Sequence, residues 1–259
     1  MTTHITAIGS GKGGTGKTLI SVSLAHALAH QGERVLLCDA DLGLANASVH
    51  LGIHETGDIA GLLAGAKTLK QAVVRVASGP RTGFDLLAAP AGSGALANAS
   101  EAQIQKLIAA LESAQGYDRV LVDLGAGIDN SVMTFAARAD ETLLVLTPDP
   151  ASLTDAYAFA KLLLRRTTTR MPQALVNMAL NATEGRRVAD ALIGSANAFL
   201  KAAPDYLGFI PYDARVPEAV RRQSQLLSLF PQSPAASAIE GIARKLHGAG
   251  TPVAVAGLR

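Results

Sequence analysis

Eight residues near the amino terminus carry the strongest local signal of the chain: Gly11, Lys12, Gly13, Gly14, Thr15, Gly16, Lys17 and Thr18. They match the pattern G-x-x-x-x-G-K-[ST] in full, with an apolar stretch before them and a helical pattern after them. Glycines let a backbone wrap around phosphate groups with its N–H groups pointing inward, and the start of a helix adds the positive end of its dipole. These residues are therefore predicted to bind the phosphates of a nucleotide.

Two side chains of this loop have a defined chemistry. Lys17 is expected to reach the β- and γ-phosphates, and Thr18 offers a hydroxyl group to Mg²⁺. Lys12 adds a second cation, which one protomer does not need if Lys17 and the backbone already balance the phosphates. A solvated loop lysine is the alternative interpretation of Lys12.

Apolar, β-prone segments alternate with helical patterns along the whole chain. Strands that are apolar on both faces and separated by helices indicate a parallel sheet covered by helices on both sides. We therefore predict an α/β fold with a doubly wound, mostly parallel sheet, in a single domain over 1–247 followed by a flexible tail over 248–259. The predicted strands are 5–8, 34–37, 84–87, 119–122, 143–146, 174–179 and 206–210, and the clearest helices are 17–29, 101–111, 152–164, 188–200 and 235–246.

The composition excludes several classes of protein. Hydrophobic residues make up 49% and charged residues 17% of the 259 residues, which excludes a disordered chain and predicts a large aliphatic core. No apolar run approaches the ~20 residues of a membrane-spanning helix, and the amino terminus lacks a signal-peptide pattern, so a cytoplasmic protein is expected. The net charge of +2 is too small to require a nucleic-acid partner.

Three aspartates follow apolar strands and are candidates for metal binding and catalysis. Asp39 and Asp41 come at the end of the second predicted strand, and Asp123 ends a later one. The carboxyl ends of parallel strands meet at the ligand edge of such a sheet. An aspartate placed like Asp123 behind a phosphate loop is typical of a residue that holds Mg²⁺, directly or through water. Capping of the following turn is the alternative for Asp39 and Asp41.

The loop resembles the deviant Walker A motif, K-G-G-x-G-K-[ST], of the MinD/ParA class of P-loop ATPases. In that class the first lysine reaches across a nucleotide-bridged dimer to the phosphates of the partner, which implies the same role for Lys12, comparable to an arginine finger. The resemblance also implies that Asp41 orients the attacking water and that Asp39 supports the Mg²⁺ hydration shell. It makes ATP and Mg²⁺ the expected cofactors, and Lys12, Lys17 and Asp41 the expected catalytic residues.

The cysteine and tyrosine content narrows the class. Nitrogenase-type reductases need two cluster cysteines per protomer and Mrp-type carriers use C-x-x-C, whereas this chain has the single Cys38. Bacterial tyrosine kinases carry a tyrosine-rich tail, but no tyrosine follows Tyr212. ATPases that control position within the cell remain. Among them, three runs of the sequence resemble the MinD-like flagellar-number regulators called FlhG or FleN: 39–46, 124–128 and 147–157.

This resemblance adds two acids to the expected dimer interface. In MinD-like relatives an acid at the place of Asp155 pairs with the signature lysine, which makes Asp155 the expected partner of Lys12. Asp149 is then an interface acid near the nucleotide. Helix capping by Thr154 or Asp155 is the alternative interpretation.

Three residues on the last strands resemble the base-recognition positions of the family. Asn177 lies near the end of the strand predicted over 174–179, and Pro211 and Asp213 lie in the turn after the next strand. Because these positions recognise adenine in the family, the resemblance favours ATP over GTP.

Together these features predict an ATP-dependent switch. ATP binding is expected to join two protomers face to face, and slow hydrolysis to return them to monomers. The expected output is control of flagellar number or placement through an FlhF-type GTPase, a flagellar switch component or a flagellar transcription regulator, in the cytoplasm, at the inner membrane or at the cell pole. Membrane binding by the last helical pattern, with Ile239 and Leu246 on one face, is less favoured than packing of that helix on the sheet.

Two other functions stay open at this point. A ParA-like partition ATPase would bind DNA non-specifically through basic patches, although solvated helix faces explain the arginines more readily. A scaffold that binds nucleotide without hydrolysing it is the third possibility, and intact Lys12, Lys17, Asp41 and Asp123 argue against it. The arginines concerned are Arg165, Arg166, Arg170, Arg186, Arg187, Arg221 and Arg222.

Overall fold

The computed structural model describes residues 3–41, 47–53, 57–77, 82–89, 99–168 and 170–250. The strands within these ranges are β1 His4–Ser10, β2 Val35–Ala40, β3 Val74–Ala77, β4 Gly83–Leu87, β5 Arg119–Ala126, β6 Glu141–Leu146, β7 Gln173–Ala179 and β8 Asp205–Pro211. They form one sheet in the order β3-β4-β2-β5-β1-β6-β7-β8. Neighbouring strands run parallel except β3, which pairs antiparallel with β4 at one edge.

Helices cover both faces of the sheet. Their bounds are α1 Lys17–His30, α2 Ala47–Leu51, α3 Ile59–Ala64, α4 Leu69–Ala72, α5 Glu101–Glu112, α6 Asn130–Arg138, α7 Pro150–Thr167, α8 Ala182–Leu200, α9 Arg215–Arg221, α10 Leu226–Leu229 and α11 Pro234–Gly250. Helices α3 to α8 contribute to the core on one face, and α1, α2 and α9 to α11 contribute to the core on the other. The predicted doubly wound, mostly parallel α/β fold is confirmed.

Local sequence explains why these helices form, and α5 is the clearest case. Ser100 and Gln103 make a capping box, in which the Ser100 hydroxyl accepts the N–H of Gln103 and the Gln103 side chain accepts the N–H of Ser100. Ile104, Leu107 and Leu111 then recur at helical spacing and are buried. Burial of each such side chain stabilises the fold by about 1.5–3 kcal/mol.

Several elements are longer than predicted. Helix α8 begins at Ala182 rather than at residue 188, because Asn181 caps it by accepting the N–H of Glu184. Helix α11 continues through Gly250, so residues 248–250, predicted as the start of a tail, are helical. Backbone hydrogen bonds can extend a helix beyond its apolar residues, so the apolar pattern covered only part of α8 and α11. Residues 251–259 lie outside the described ranges.

The last helix lies on the sheet. Ile239, Ile242 and Leu246 are buried in the core of the second face. The apolar face of α11 is therefore used inside the protein, in agreement with the interpretation that the sequence favoured. In the described part of the chain, no helix combines the length and the apolar character needed to cross a bilayer.

Cys38 belongs to the core of the first face. Its side chain lies on β2 and is fully buried. Burial raises the pKa of the Cys38 thiol well above its usual range, and the charges of Asp39 and Asp123 raise it further. The thiol is therefore protonated and shielded, as expected of a cysteine that serves packing rather than catalysis.

A buried charged cluster lies at the amino-terminal edge of the sheet. Arg119, the first residue of β5, donates hydrogen bonds of 2.9 Å to Glu33, to Glu141 and to the carbonyl oxygen of Leu246. Its side chain is 3% exposed, and the two glutamates are 9% and 13% exposed. One guanidinium therefore joins the segment after α1, the start of β6 and the end of α11.

Replacement of this arginine is expected to destabilise the whole fold. The Arg119→Ala variant removes the cation that two largely buried carboxylates share and leaves them only histidines as ion-pair partners among the described residues, which lowers the free energy of unfolding by about 3–5 kcal/mol. Urea unfolding followed by circular dichroism measures the loss. The control is Arg222→Ala, which removes an exposed pair with Glu218 and costs at most about 1 kcal/mol. Equal, small losses in both variants would contradict the assignment.

Candidate functional site

The glycine-rich loop connects the carboxyl end of β1 to α1, as predicted. A Cβ atom on Gly11 would lie 2.3 Å from the backbone of Asp155, and one on Gly16 would lie 2.4 Å from Nδ2 of Asn177. Gly16 also has a φ angle of 87°, in the left-handed region. Asn177 donates a 2.8 Å hydrogen bond to the carbonyl oxygen of Thr15. The loop is thus held between α7 and the carboxyl end of β7, where only glycine fits at two positions.

Lys17 is the first residue of α1, and its side chain is buried. Burial lowers the pKa of the Lys17 ammonium, while the charges of Asp123 and Asp41 oppose that change. Both acids therefore lie close enough to stabilise the charged lysine, although burial has the larger effect. The loop presents a positive charge where the phosphates of a nucleotide are expected.

Asp39 and Asp123 face each other across the neighbouring strands β2 and β5. Both are buried. The Asp39 carboxylate accepts the backbone N–H groups of Asp41, at 3.2 Å, and of Ala47, at 2.9 Å. Oδ1 of Asp123 accepts the hydroxyl of Ser21 at 2.9 Å, whereas Oδ2 is buried and has no hydrogen-bond partner among the described residues.

The pKa of Asp123 is raised to about 7. Burial is the main cause, and the neighbouring charge of Asp39 adds to it. The hydroxyl of Thr18, the ammonium of Lys17 and the hydroxyl of Ser21 act in the opposite direction. A charged Asp123 is therefore destabilised in this site, and a divalent cation would relieve both the charge and the unpaired oxygen.

These residues fit a magnesium ion. The Thr18 hydroxyl and the Asp123 carboxylate are the hard oxygen ligands that Mg²⁺ takes together with water and phosphate oxygens. The unpaired, buried Oδ2 of Asp123 is the observation on which the fit depends. Thr18 and Asp123 would hold the ion and Asp39 would bond its waters, while the ion itself would neutralise the phosphates.

Lys12 pairs with a different acid from the one expected. Its ammonium forms an ion pair with Asp149, which also caps α7 by accepting the N–H of Ala151. The hydrogen bond from Lys12 lowers the pKa of the Asp149 carboxyl. Asp155 lies in the second turn of α7, where its backbone and Cβ atom are the groups close to Gly11. Within one protomer, Asp149 rather than Asp155 is therefore the partner of Lys12, because Asp149 lies at the start of the helix.

The residues expected at the base have structural partners of their own. The Asp213 carboxylate accepts the N–H groups of Arg215, at 2.9 Å, and of Ala235, at 3.2 Å. Burial raises the pKa of Asp213, but these hydrogen bonds outweigh it and hold the pKa below its usual range. Asp213 thus joins α9 to α11, and Pro211 ends β8. Contact of Asn177, Pro211 or Asp213 with adenine stays a prediction.

Only part of the run 39–46, the first of the three that resemble the flagellar-number regulators, lies within the described ranges. Asp39 and Asp41 are described, but residues 42–46 lie outside the described ranges. Asp41 is half-buried, and its position beside Lys17 agrees with a place at the ligand edge. Its role in orienting water stays a prediction.

Sequence reasoning overlooked Ser21. It follows Thr18 by three residues, so the two hydroxyls lie on the same side of α1. Both contribute hydrogen bonds to Asp123. Polar residues three or four positions after the last loop residue are therefore the signal that would have found it.

A set of exposed apolar side chains was also overlooked. They lie at the carboxyl edge of the sheet, after β5, near the end of β7 and after β8. Their exposed fractions range from 39% to 77%. Isolated exposed apolar residues are common, but several at one edge indicate an interaction surface. The residues are Ile128, Met178, Leu180 and Tyr212.

Comparison with known proteins agrees with this geometry. Residues 6–227 match the CbiA family, described as the CobQ/CobB/MinD/ParA nucleotide binding domain. The chain belongs to this family. It is 39% identical to the antiactivator FleN of Pseudomonas aeruginosa, over 94% of this chain and 86% of that protein. It is 31% identical to the flagellum site-determining protein YlxH of Helicobacter pylori, over 93% of this chain and 81% of that protein.

A solved structure supports the same assignment. The septum site-determining protein MinD of Pyrococcus horikoshii, complexed with Mg-ADP, has a TM-score of 0.76 and 25% identity, covering 97% of this chain and 100% of that one. The MinD-like P-loop ATPase fold and the resemblance to FlhG/FleN regulators are therefore confirmed.

The raised pKa of Asp123 predicts how the stability of this protein depends on pH when no nucleotide is bound. Between its ordinary pKa of 3.8 and about 7, the folded state holds a proton that the unfolded state has lost. The free energy of unfolding therefore falls as pH rises through this range and levels off above it, with a limiting slope of about 1.4 kcal/mol per pH unit. Urea unfolding in EDTA should show the stability of the wild type falling relative to Asp123→Asn between about pH 5 and pH 7.

The control for this measurement is Asp118→Asn. The hydrogen bond from Arg34 lowers the pKa of Asp118, so the stabilisation that it provides is lost only in acid. Its curve should run parallel to that of the wild type between about pH 5 and pH 8. If the curve of Asp123→Asn is also parallel, Asp123 does not hold a proton near neutral pH.

Proposed function

We propose that this ATPase is an ATP-dependent dimerising switch that controls flagellar number or placement. ATP joins two protomers through their loops, and slow hydrolysis to ADP and phosphate returns them to monomers. The observation that carries the proposal is the separate placement of the two loop lysines. Lys17 is buried beside Asp123 and Asp41, whereas Lys12 is held near the surface by Asp149. Because the Lys12 ammonium is held away from the nucleotide site of its own protomer, it is available to the nucleotide of a second copy.

The ion pair of Lys12 is suited to exchange. The side chains of Lys12 and Asp149 are 34% and 44% exposed, so water screens their attraction. Release from Asp149 therefore costs little, and the triphosphate of a second protomer offers Lys12 more negative charge. Lys12 then supplies charge to the transition state only in the dimer, in the manner of an arginine finger.

The hydrolytic step follows from charge and position rather than from a covalent group. Lys17 stabilises the negative charge that develops on the phosphates, and Asp41 orients the attacking water. The backbone N–H of Asp41 donates a hydrogen bond to the carboxylate of Asp39, so the acid that orients the water is connected to the acid beside the metal site. Adenine binds at the carboxyl ends of β7 and β8, beside Asn177 and Pro211. Positioning alone makes turnover slow, and a partner accelerates it.

The exposed apolar residues at the carboxyl edge support a second copy as the occupant of this face. Ile128 follows β5, Leu180 follows β7 and Tyr212 follows β8, so they lie at the same edge of the sheet as the loop that binds nucleotide. Burial of these side chains between two protomers adds hydrophobic stabilisation to the bridge that the phosphates make with Lys12.

Two relatives support the flagellar output. The Pseudomonas protein carries the name antiactivator, and the Helicobacter protein is named for determining the flagellum site. An antiactivator acts on another protein, which favours a protein partner here. We infer an FlhF-type GTPase, a flagellar switch component or a flagellar transcription regulator, met from the cytoplasm at the inner membrane or the cell pole.

The oligomeric state tests the switch. The Asp41→Ala variant with ATP and Mg²⁺ is expected to elute at twice the monomer mass, because ATP stays intact when no group orients the water. With ADP it should elute as a monomer, and Lys12→Ala should stay monomeric with ATP. Size-exclusion chromatography with light scattering measures all three states.

A second lysine of the chain offers a matched control. Lys67 forms an exposed pair with Asp58, with side-chain exposures of 43% and 37%, between α3 and α4. The Lys67→Ala variant should dimerise like the wild type. A monomeric Asp41→Ala with ATP and Mg²⁺ would refute the switch, whereas dimerisation of Lys12→Ala would refute only the role of Lys12.

The arginines considered for DNA binding are mostly engaged within the chain. Five of the seven contact other groups of the protein, and three of these pair with carboxylates, which lowers the net positive charge available to phosphates. They are Arg166 with Asn130 and Thr134, Arg170 with the carbonyls of Ala137 and Ala139, Arg186 with Asp190, Arg187 with Glu184, and Arg222 with Glu218. The partition function is therefore not favoured.

Binding of DNA gives a separate prediction. The ATP-bound Asp41→Ala protein should not raise the fluorescence anisotropy of a labelled duplex, even at about 50 mM salt, where backbone contacts are strong. A known DNA-binding protein on the same duplex is the positive control. Binding that weakens steeply as salt rises would instead support the partition ATPase.

A further inference from the structure

The hydroxyl of Ser21 lies at the junction of the loop helix and the metal-binding strand. It is 2.9 Å from Oδ1 of Asp123 and 3.0 Å from the carbonyl oxygen of Lys17. Ser21 is completely buried, so water does not compete for these contacts. The Ser21 side chain therefore contacts both the backbone of Lys17, the catalytic lysine, and the carboxylate of Asp123, the metal-site aspartate.

The hydrogen of this hydroxyl is available to Asp123. A hydroxyl has one hydrogen, and the two oxygens near it compete for that hydrogen. The carbonyl of Lys17 lies one helical turn earlier, where the backbone N–H of residue 21 is its ordinary partner in α1. In the ionised form that a metal ligand requires, the Asp123 carboxylate is also the stronger acceptor. The hydrogen bond of Ser21 with Asp123 is therefore the favoured one.

The two oxygens of Asp123 consequently differ. Oδ1 is bonded to Ser21, and Oδ2 is buried without a hydrogen-bond partner in the described part of the chain. A carboxylate that rotates freely would lose this distinction. The bond to Oδ1 fixes the plane of the carboxylate and leaves Oδ2 as the free ligand, while the Thr18 hydroxyl interacts with the same carboxyl group.

We propose that Ser21 is a positioning residue for magnesium, which holds Asp123 so that Oδ2 and the Thr18 hydroxyl are presented to the ion together. Ser21 does not touch the metal or the nucleotide. The inference rests on the proposed function in one respect, namely that Mg²⁺ binds with the nucleotide. Groups that orient a metal ligand typically change metal affinity by ~10–100-fold when they are removed.

Magnesium-dependent binding of nucleotide tests the proposal without a measurement of hydrolysis. Fluorescent N-methylanthraniloyl-ADP is titrated into the purified protein in EDTA and then at rising Mg²⁺ concentrations. The measured quantity is the Mg²⁺ concentration that gives half of the gain in affinity. Ser21→Ala is expected to raise that concentration about tenfold, while the affinity measured in EDTA stays within about twofold of the wild type.

The same helix supplies a matched control. Ser23 is also buried on α1, but its hydroxyl has no hydrogen-bond partner among the described residues. Ser23→Ala should leave the Mg²⁺ dependence unchanged. Ser21→Thr keeps a hydroxyl that reaches the same acceptors from a helix, and it should restore most of the dependence.

The outcomes separate this proposal from the function on which it rests. An unchanged Mg²⁺ dependence in Ser21→Ala overturns the role of Ser21 and leaves the switch untouched. An equal loss of affinity in EDTA and in Mg²⁺ also overturns it, because Ser21 would then only support the loop. If the wild type itself gains no affinity from Mg²⁺, the magnesium site of the proposed function fails as well.

Discussion

The pairing of β5 with β1 on one side and β2 on the other assembles the site. Asp123 on β5 lies opposite Asp39 on β2 and opposite Ile8, just before the loop leaves β1. The surrounding strand residues are aliphatic, and their burial drives the three strands together. The same burial forces two carboxylates into a space with little water. The hydrophobic core therefore creates the charge imbalance that a cation and a nucleotide can relieve.

Sequence patterns predicted the fold well because the spacing of apolar residues along a strand or helix directly reflects which residues are buried. The alternating strands and helices and the glycine-rich loop are all found in the structure. β3 was missed because it is a four-residue edge strand in which Arg75 is exposed. Such a strand is half solvated and is stabilised by antiparallel pairing with β4 rather than by an apolar run.

The partners of individual polar side chains were harder to predict. Lys12 was assigned to Asp155 by resemblance, yet the start of α7 brings Asp149 closer. Asp213 accepts the backbone N–H groups of Arg215 and Ala235, which the sequence did not predict, and its contact with the base stays a prediction. The spacing of Ser21 from Thr18 was the one signal for it in the sequence, and it does not name Asp123 as the partner. In each case the hydrogen bond depends on where a helix begins relative to a strand, and one residue of displacement changes the partner.

Cys38 has a practical consequence. It is the only cysteine of the sequence, and its thiol is fully buried and held protonated. Reagents that alkylate thiolates therefore find no target on the native surface. A cysteine introduced at an exposed position would be labelled selectively, with no need to remove the native one. Dyes or spin labels on such sites would report distances between protomers, so the packing of one core strand makes the assembly accessible to spectroscopy.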